Sequence, residues 1–315
     1  MWSSTMIRIS IVIIGLWCIS FFASATLTFD NCGKSWTLAQ RPQKIVALNQ
    51  TAADILLALD VGSKLVGVSY IDDDPKVARD GEYRGIPILA RRYPAVELLY
   101  RDGVDFVVAG FPSAFAALHG DRKTLGDNMV GSYLLSAACS RDAVPSLNNV
   151  VVDLQQLGEI SGRSEKATAL IAHIRQRQAE VAALPPLKNP PGVFYYDSGT
   201  AELRTQGQRG FVNTLLRDAG ARNIFSDIAY SGISISLERL LQRDPDIILL
   251  ADAVWSTAES KRRFLEEHPA LSTLSAVKAK RYIIFPFSQL TPGVDSADSL
   301  LALAIILRTF GLSEP

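Results

Sequence analysis

Short apolar runs separated by polar, helically periodic stretches recur along the whole chain, the pattern of α/β layers. Ile45 to Leu48 predicts a strand. A helix follows over Ala52 to Leu59, with Thr51 as its cap, Asp54 placed for a return bond and Gly62 as its stop. Leu65 to Val68 and Val104 to Ala109 predict further strands, the second after a helix that begins near Ala95, and Ser132 to Leu135 predicts one more. From Leu147 to Leu184 no strand pattern survives. Gly162 divides this stretch, and Ser164 is placed to cap a helix whose Ala167, Leu170, Ile171, Ile174 and Val181 share one face. Pro185 and Pro186 stop that helix. At about 1.5 Å per residue it is roughly 30 Å long, a rod able to join two lobes. Beyond Pro190-Pro191 the alternation resumes, with strands at Val193 to Tyr196, Ile247 to Ala251 and Arg281 to Phe285. Helices are predicted over Phe211 to Ala219, near Leu237 to Gln242, and over Ser296 to Phe310.

The two halves echo each other. Glu97-Leu98-Leu99-Tyr100 precedes Asp105-Phe106-Val107-Val108, and Glu238-Arg239-Leu240-Leu241 precedes Asp246-Ile247-Ile248-Leu249 at the same spacing. Leu56 to Gly62 is matched by Leu215 to Gly220 in the same order. Two such matches point to related lobes with a ligand crevice between them. The expected organisation is a leader over 1–25, a first α/β lobe over 26–146, a helical linker over 147–186 and a second lobe over 187–315.

The leader is a different kind of sequence. Arg8 precedes an apolar run from Ile9 to Phe22, and Ala23-Ser24-Ala25 offers a small-x-small cleavage site, so export to the periplasm is expected. Trp17 before Cys18 speaks against a lipoprotein cleavage site. Cys32 and Cys139 then remain, and in an oxidising compartment they are expected to pair. Charge changes the picture by exclusion: 32 Lys and Arg balance 32 Asp and Glu, leaving no electrostatic case for nucleic acid as a partner. No nucleophile elbow, phosphate loop or dinucleotide fingerprint is present. His119, His173 and His268 are scattered, so neither catalytic residues nor a protein-borne metal site is expected.

Arg41-Pro42-Gln43-Lys44-Ile45-Val46-Ala47-Leu48-Asn49, then Ile55 to Leu59 and Val66-Gly67-Val68, resembles the opening of periplasmic binding proteins for iron–siderophore complexes and vitamin B12. The resemblance continues through Asp105 to Val108, Leu157-Gly158 with Gly162, Gly220 to Phe225 and Asp244-Pro245-Asp246, nearly all of the chain beyond the leader. Asn31-Cys32-Gly33 and Leu290 to Val294 are similar to a branch of iron-complex receptors. The resemblance implies the class III arrangement, two Rossmann-like α/β lobes with central sheets joined by a long α-helix. It implies a monomeric receptor, not an enzyme, that delivers a small-molecule chelate to an ABC permease dimer with its ATPase. Glu97 and Glu238 match the positions that dock on the permease. Strand ends at the crevice should hold the ligand. In the first lobe these are Asn49, Tyr70, Arg91, Arg92, Tyr93, Phe111 and Phe115; in the second, Tyr196, Asp197, Ser198, Arg204, Arg209, Tyr230, Trp255 and Phe287. Of the adjacent Arg91 and Arg92, an extended backbone would turn only one to the ligand. Arginines suit the anionic oxygens of a ferric catecholate or carboxylate, whereas a hydroxamate chelate or corrinoid would rely on Trp255 and the tyrosines.

Overall fold

The computed structural model describes residues 26–73, 81, 83–116 and 119–310, so the leader expected over 1–25 lies outside the described residues. An antiparallel hairpin comes first, β1 (Leu27–Asn31) with β2 (Lys34–Leu38). Next are β3 (Ile45–Ala47), β4 (Leu65–Ser69), β5 (Ile88–Ala90), β6 (Phe106–Ala109) and β7 (Gly131–Leu134), a parallel sheet ordered β5-β4-β3-β6-β7. The rest of the chain supplies β8 (Gly192–Tyr196), β9 (Leu203–Gln206), β10 (Arg222–Asn223), β11 (Gly232–Ile235), β12 (Ile247–Asp252) and β13 (Tyr282–Pro286). Of these, β10-β8-β12-β13 form a second, separate parallel sheet, while β9 and β11 pair as an antiparallel ribbon. The helices are α1 (Gln50–Ala58), α2 (Val96–Arg101), α3 (Arg122–Asp127), α4 (Leu147–Ser161), α5 (Ser164–Ala183), α6 (Phe211–Ala219), α7 (Leu237–Arg243), α8 (Ala258–Glu267), α9 (Ser275–Lys278) and α10 (Ser296–Thr309).

Parallel strands covered on both faces need apolar side chains at every position. In β6 all four residues are buried, Phe106 and Val108 on one face, Val107 and Ala109 on the other. In β12 the run Ile247 to Ala251 is buried throughout. The repeat seen in the sequence has a shared structural role. The Asp105 carboxylate accepts from the backbone N–H groups of Gln43 (2.8 Å) and Lys44 (2.9 Å), and Asp246 accepts from Gly192 N–H at 2.6 Å. Each aspartate thus ties the entry of its strand to the start of its sheet neighbour.

Between the lobes the helical stretch is a pair of helices divided at Gly162. Gly162, at φ +75°, ends α4 in the left-handed conformation that favours glycine, and the chain turns into α5. The 20 residues of α5 pack between α4 and α10. Ala167, Ile174 and Val181 are buried on the expected face, with Leu170 and Ile171 half-buried against it. One continuous core runs from Phe29 and Val108 through Leu157 and Ile174 to Leu215 and Leu303, so both lobes share it. Smaller cores lie behind each sheet.

Local chemistry differs from expectation at three caps. Asn49, not Thr51, is the residue flanking α1, and the Thr51 hydroxyl instead meets that of Thr291 in the other lobe at 2.9 Å. Asp54 accepts from the Tyr83 hydroxyl rather than closing a capping box. Gly62 does not stop α1, which ends at Ala58, with Asp60 at φ +58° making the turn. Ser164 is the first residue of α5 and Arg163 its flanking residue. A reciprocal cap exists instead at α4, where Ser146 N–H donates to Asn149 Oδ1 at 2.9 Å. The Cys32–Cys139 disulfide is formed, its Cα atoms 5.0 Å apart and its partners 107 residues apart in sequence. A loop of that length is worth on the order of 4–5 kcal/mol in the chain-entropy model.

Candidate ligand-binding cleft

Where parallel strands end, the backbone leaves the sheet and its side chains are free to face a ligand. Both sheets send such ends into one cavity of about 1060 Å³ between the lobes. Tyr70 follows β4, Arg91 to Tyr93 follow β5, Phe111 follows β6, and the segment from Ala137 to Pro145 follows β7. From the second lobe come Asp197 and Ser198 after β8, Arg204 in β9, Arg209, Ser231, Trp255 after β12 and Phe287 after β13. Arg91 and Arg92 both line the cavity, because the chain bends there instead of continuing extended.

The walls are aromatic and the rim is cationic. Tyr70 sits 5.5 Å from Tyr93 and 5.9 Å from Phe111, ring centre to ring centre, and Trp255 stands edge-on to Phe287 at 5.3 Å. The Arg92 guanidinium lies 5.5 Å over the Tyr70 ring. Arg209 reaches across the cleft to Asp142 of the first lobe at 2.6 Å. Among the described residues no ion pair joins Arg91, Arg92, Arg141 or Arg204 to a carboxylate. Five arginines therefore face two cavity carboxylates, Asp72 and Asp197. Burial pushes Asp72 up to about 6, against the bond it accepts from Trp255, and nearby Asp73 and Asp197 push the same way. Burial also raises Asp197, whose carboxylate accepts from the Ser198 hydroxyl at 3.1 Å and the Tyr195 hydroxyl at 3.3 Å.

Four expected contacts lie elsewhere. Asn49 is 1% exposed beside the main cavity, and its Oδ1 accepts from Gly110 N–H at 2.6 Å. Any side chain at Gly110 would collide with it, so the pair is a packing unit. Phe115 packs behind the cleft under the Arg122 guanidinium, 5.6 Å away. Tyr196, the last residue of β8, points into the core behind the sheet, stacks on Phe194 and donates to Gly199 O. Tyr230 is 68% exposed and outside the lining. Pro112, Ser113, Ser231 and the small residues of 137–145 also line the cavity but are neither aromatic nor basic, the types that mark a strand end from sequence; Asp72, a further lining residue, lies two positions beyond Tyr70, where its place after β4 is the available signal.

Among the described residues no group of three or more His, Cys, Asp or Glu is set to hold a metal, and no helix is long and apolar enough to cross a membrane. His119 packs against Tyr93, His173 pairs with Asp298 at 2.9 Å, and His268 accepts from backbone N–H groups. Glu97 and Glu238 are exposed and occupy the same place, the second residue of α2 and of α7, one on each lobe.

A family model described as periplasmic binding protein matches residues 128–288, half of the chain. This chain belongs to the periplasmic binding protein family. It is 26% identical over 258 residues to an uncharacterised ABC transporter substrate-binding lipoprotein of Bacillus subtilis, covering 80% of this chain and 75% of that one. A cobalamin-binding protein of Halobacterium salinarum is 26% identical over 243 residues, 73% of this chain, which spans 60% of that relative's length. In fold, a periplasmic binding protein from Veillonella parvula superposes with a TM-score of 0.77 at 23% identity, over 90% of this chain and 97% of its own. The family's class III architecture is the one described above, two parallel-sheet lobes braced by helices.

The loop presenting Trp255 is held from both sides. In front, Trp255 Nε1–H donates to Asp72 Oδ1 at 2.9 Å and Val254 N–H to Asp72 O at 3.0 Å. Behind, the Lys261 ammonium, 3% exposed, donates to the carbonyls of Ala251 and Ser256, and burial lowers it to about 8. Lys261→Met keeps the length and removes both donors. The chain has four tryptophans, Trp2 and Trp17 in the expected leader and Trp36 and Trp255 beyond it, so a protein beginning at Thr26 and carrying Trp36→Phe keeps Trp255 as a single reporter. The expected result is a red-shifted, more quencher-accessible Trp255; unchanged emission would show that Asp72 alone fixes the loop.

Proposed function

We propose that this protein is the extracytoplasmic binding component of an ABC importer, and that its cleft receives a bulky anionic metal chelate such as a ferric siderophore. The observation that carries the reading is the convergence of arginines from both lobes on an aromatic-walled cavity. The guanidinium groups of Arg91, Arg92, Arg141 and Arg204, which have no carboxylate ion pair among the described residues, match anionic chelate oxygens by charge-assisted hydrogen bonds. The cavity volume of about 1060 Å³ is at the top of the roughly 300–1,000 Å³ range for small-molecule pockets. The metal belongs to the cargo in this reading, held by the chelator's oxygens rather than by protein ligands. Export to the periplasm, action as a monomer and delivery to a permease dimer with its ATPase belong to the same proposal, with turnover of the bound molecule absent.

A corrinoid is the second reading, favoured by the Trp255–Phe287 wall and by the cobalamin-binding relative. The two are separated by titrating Trp255 emission with ferric tris-catecholate, ferric citrate, haemin and cyanocobalamin. The expected outcome is binding of an anionic ferric chelate at micromolar concentration or below, weakened about tenfold or more in Arg204→Gln/Arg209→Gln, the loss of roughly one strong charge-assisted contact. Binding of cyanocobalamin alone, indifferent to those substitutions, would overturn the choice.

A further inference from the structure

The Asn31-Cys32-Gly33 turn joins β1 to β2 and lies outside the cleft lining, yet it is fastened to the segment that builds one cleft wall. Cys32 at φ +55° and Gly33 at φ +72° fold the turn back. Asn31 is 4% exposed; its Nδ2 donates to Leu134 O at 2.8 Å and its Oδ1 accepts from Leu134 N–H at 3.0 Å, which pins the end of β7. Cys32 then bridges to Cys139, five residues further on.

The wall segment itself has little else to hold it. A short 3-10 turn covers Ser136–Ala138, with Ser136 N–H bonded to Asp153 at 2.8 Å, and α4 begins at Leu147 behind its Ser146 cap. Between these anchors, residues 140–144 are exposed, and no turn or loop hydrogen bond between backbone groups involves 140–145 among the described residues. Yet Ser140, Arg141, Ala143 and Pro145 line the cavity, Asp142 pairs with Arg209 of the other lobe, and Pro145 O accepts from the Thr214 hydroxyl at 2.8 Å. The bridge at Cys139 enters this stretch at its unsupported start.

We infer that the Cys32–Cys139 bridge is a positioning element of the binding cleft, fixing the wall segment that carries Arg141 and the interlobe Asp142–Arg209 pair. This rests on the cavity being the ligand site, but its first consequence needs no ligand. A bridge that serves only as a fold staple would stabilise the whole first lobe and leave the wall no looser than its neighbours once removed. A positioning bridge concentrates the effect on the wall.

The experiment compares the native protein with Cys32→Ser/Cys139→Ser and with native protein reduced by dithiothreitol. The reagent supplies two electrons and two protons, giving two thiols and its own cyclic disulfide. Deuterium exchange at the hydrogen-bonded amides of Ser136, Ala138 and Cys139 and tryptic cleavage after Arg141 should both rise about tenfold or more, while β3, β6 and β7 keep their protection. Affinity for ferric tris-catecholate should fall in parallel, by about tenfold for a lost arginine contact. Val108→Ala, tuned by temperature to the same distance below its Tm, should leave both readouts unchanged. The inference is overturned if exchange at Ser136, Ala138 and Cys139 and cleavage after Arg141 are unchanged, or if they rise only together with the whole lobe. Should the wall loosen as expected while ferric tris-catecholate binds neither form, the chelate reading fails and the positioning role stands.

Discussion

A chain carrying both Glu97→Arg and Glu238→Arg is expected to keep its ligand affinity within about twofold while uptake through its importer falls by two orders of magnitude or more. Each carboxylate is exposed, each is the second residue of a short helix, and each precedes by the same interval the aspartate that ties its strand into the sheet. Neither lines the cavity. A carboxylate in a first helical turn also favours the positive end of the helix, worth about 0.3–1 kcal/mol, so the double variant should be slightly less stable yet folded. Two charges, one on each lobe of a body with a shared core, fix the orientation of an encounter, and reversing both turns attraction into repulsion at both contacts. Uptake and affinity, measured on the same preparation, check this. Retained uptake would remove the docking role, and affinity falling in step with uptake would mean that the substitutions disturb the cleft instead.

Asp153→Asn is expected to make the protein more stable than its parent at pH 8 and not at pH 4. Asp153 is wholly buried beneath the cleft wall, and burial pushes its carboxyl up to about 7 although it accepts from Tyr133 Oη and Ser136 N–H, both at 2.8 Å. Its second oxygen has no partner among the described residues. A carboxyl whose pKa is raised on folding binds its proton more tightly in the native state. The stability it contributes is therefore complete below the unfolded value near 4 and lost as pH rises through 7. A shift of about three units corresponds to a ceiling of roughly 4 kcal/mol. Asparagine keeps the acceptor for both bonds but places an unpaired amide where the free oxygen lies, returning about 1–2 kcal/mol of that. The net gain expected at pH 8 is on the order of 2–3 kcal/mol at most. Urea midpoints for both proteins at pH 4, 6 and 8 decide it, and parallel profiles would show that Asp153 does not titrate in this window.

The parts of the fold that were legible are those whose pattern is dictated by burial on both sides. β3, β6 and β8 are buried throughout, β4 and β12 at all but one position each, and α6 and α10 fall within a residue of their predicted bounds. Elements that owe their form to a partner were not. The ribbon of Leu203–Gln206 with Gly232–Ile235 alternates exposed and covered positions in short polar stretches, and α8 is charged along most of its length with only Ala258, Lys261 and Leu265 buried. In the cleft, large side chains after strand ends betrayed themselves by type, whereas the Ala, Ser and Pro of 137–145 have nothing in their chemistry to mark them. Tyr196 was misplaced by one position of pleat: in a strand buried on both faces, neighbouring residues face opposite cores.

The apolar seam running through α4, α5 and α10 also limits how the molecule lets go. Two bodies linked by a flexible strap would swing apart for the cost of bending a few torsions. Here any widening at the mouth shears interlocked side chains along the spine, and close-packed interiors resist such sliding steeply. In the proposed role, discharge of the ligand would call for mechanical leverage on both lobes from outside.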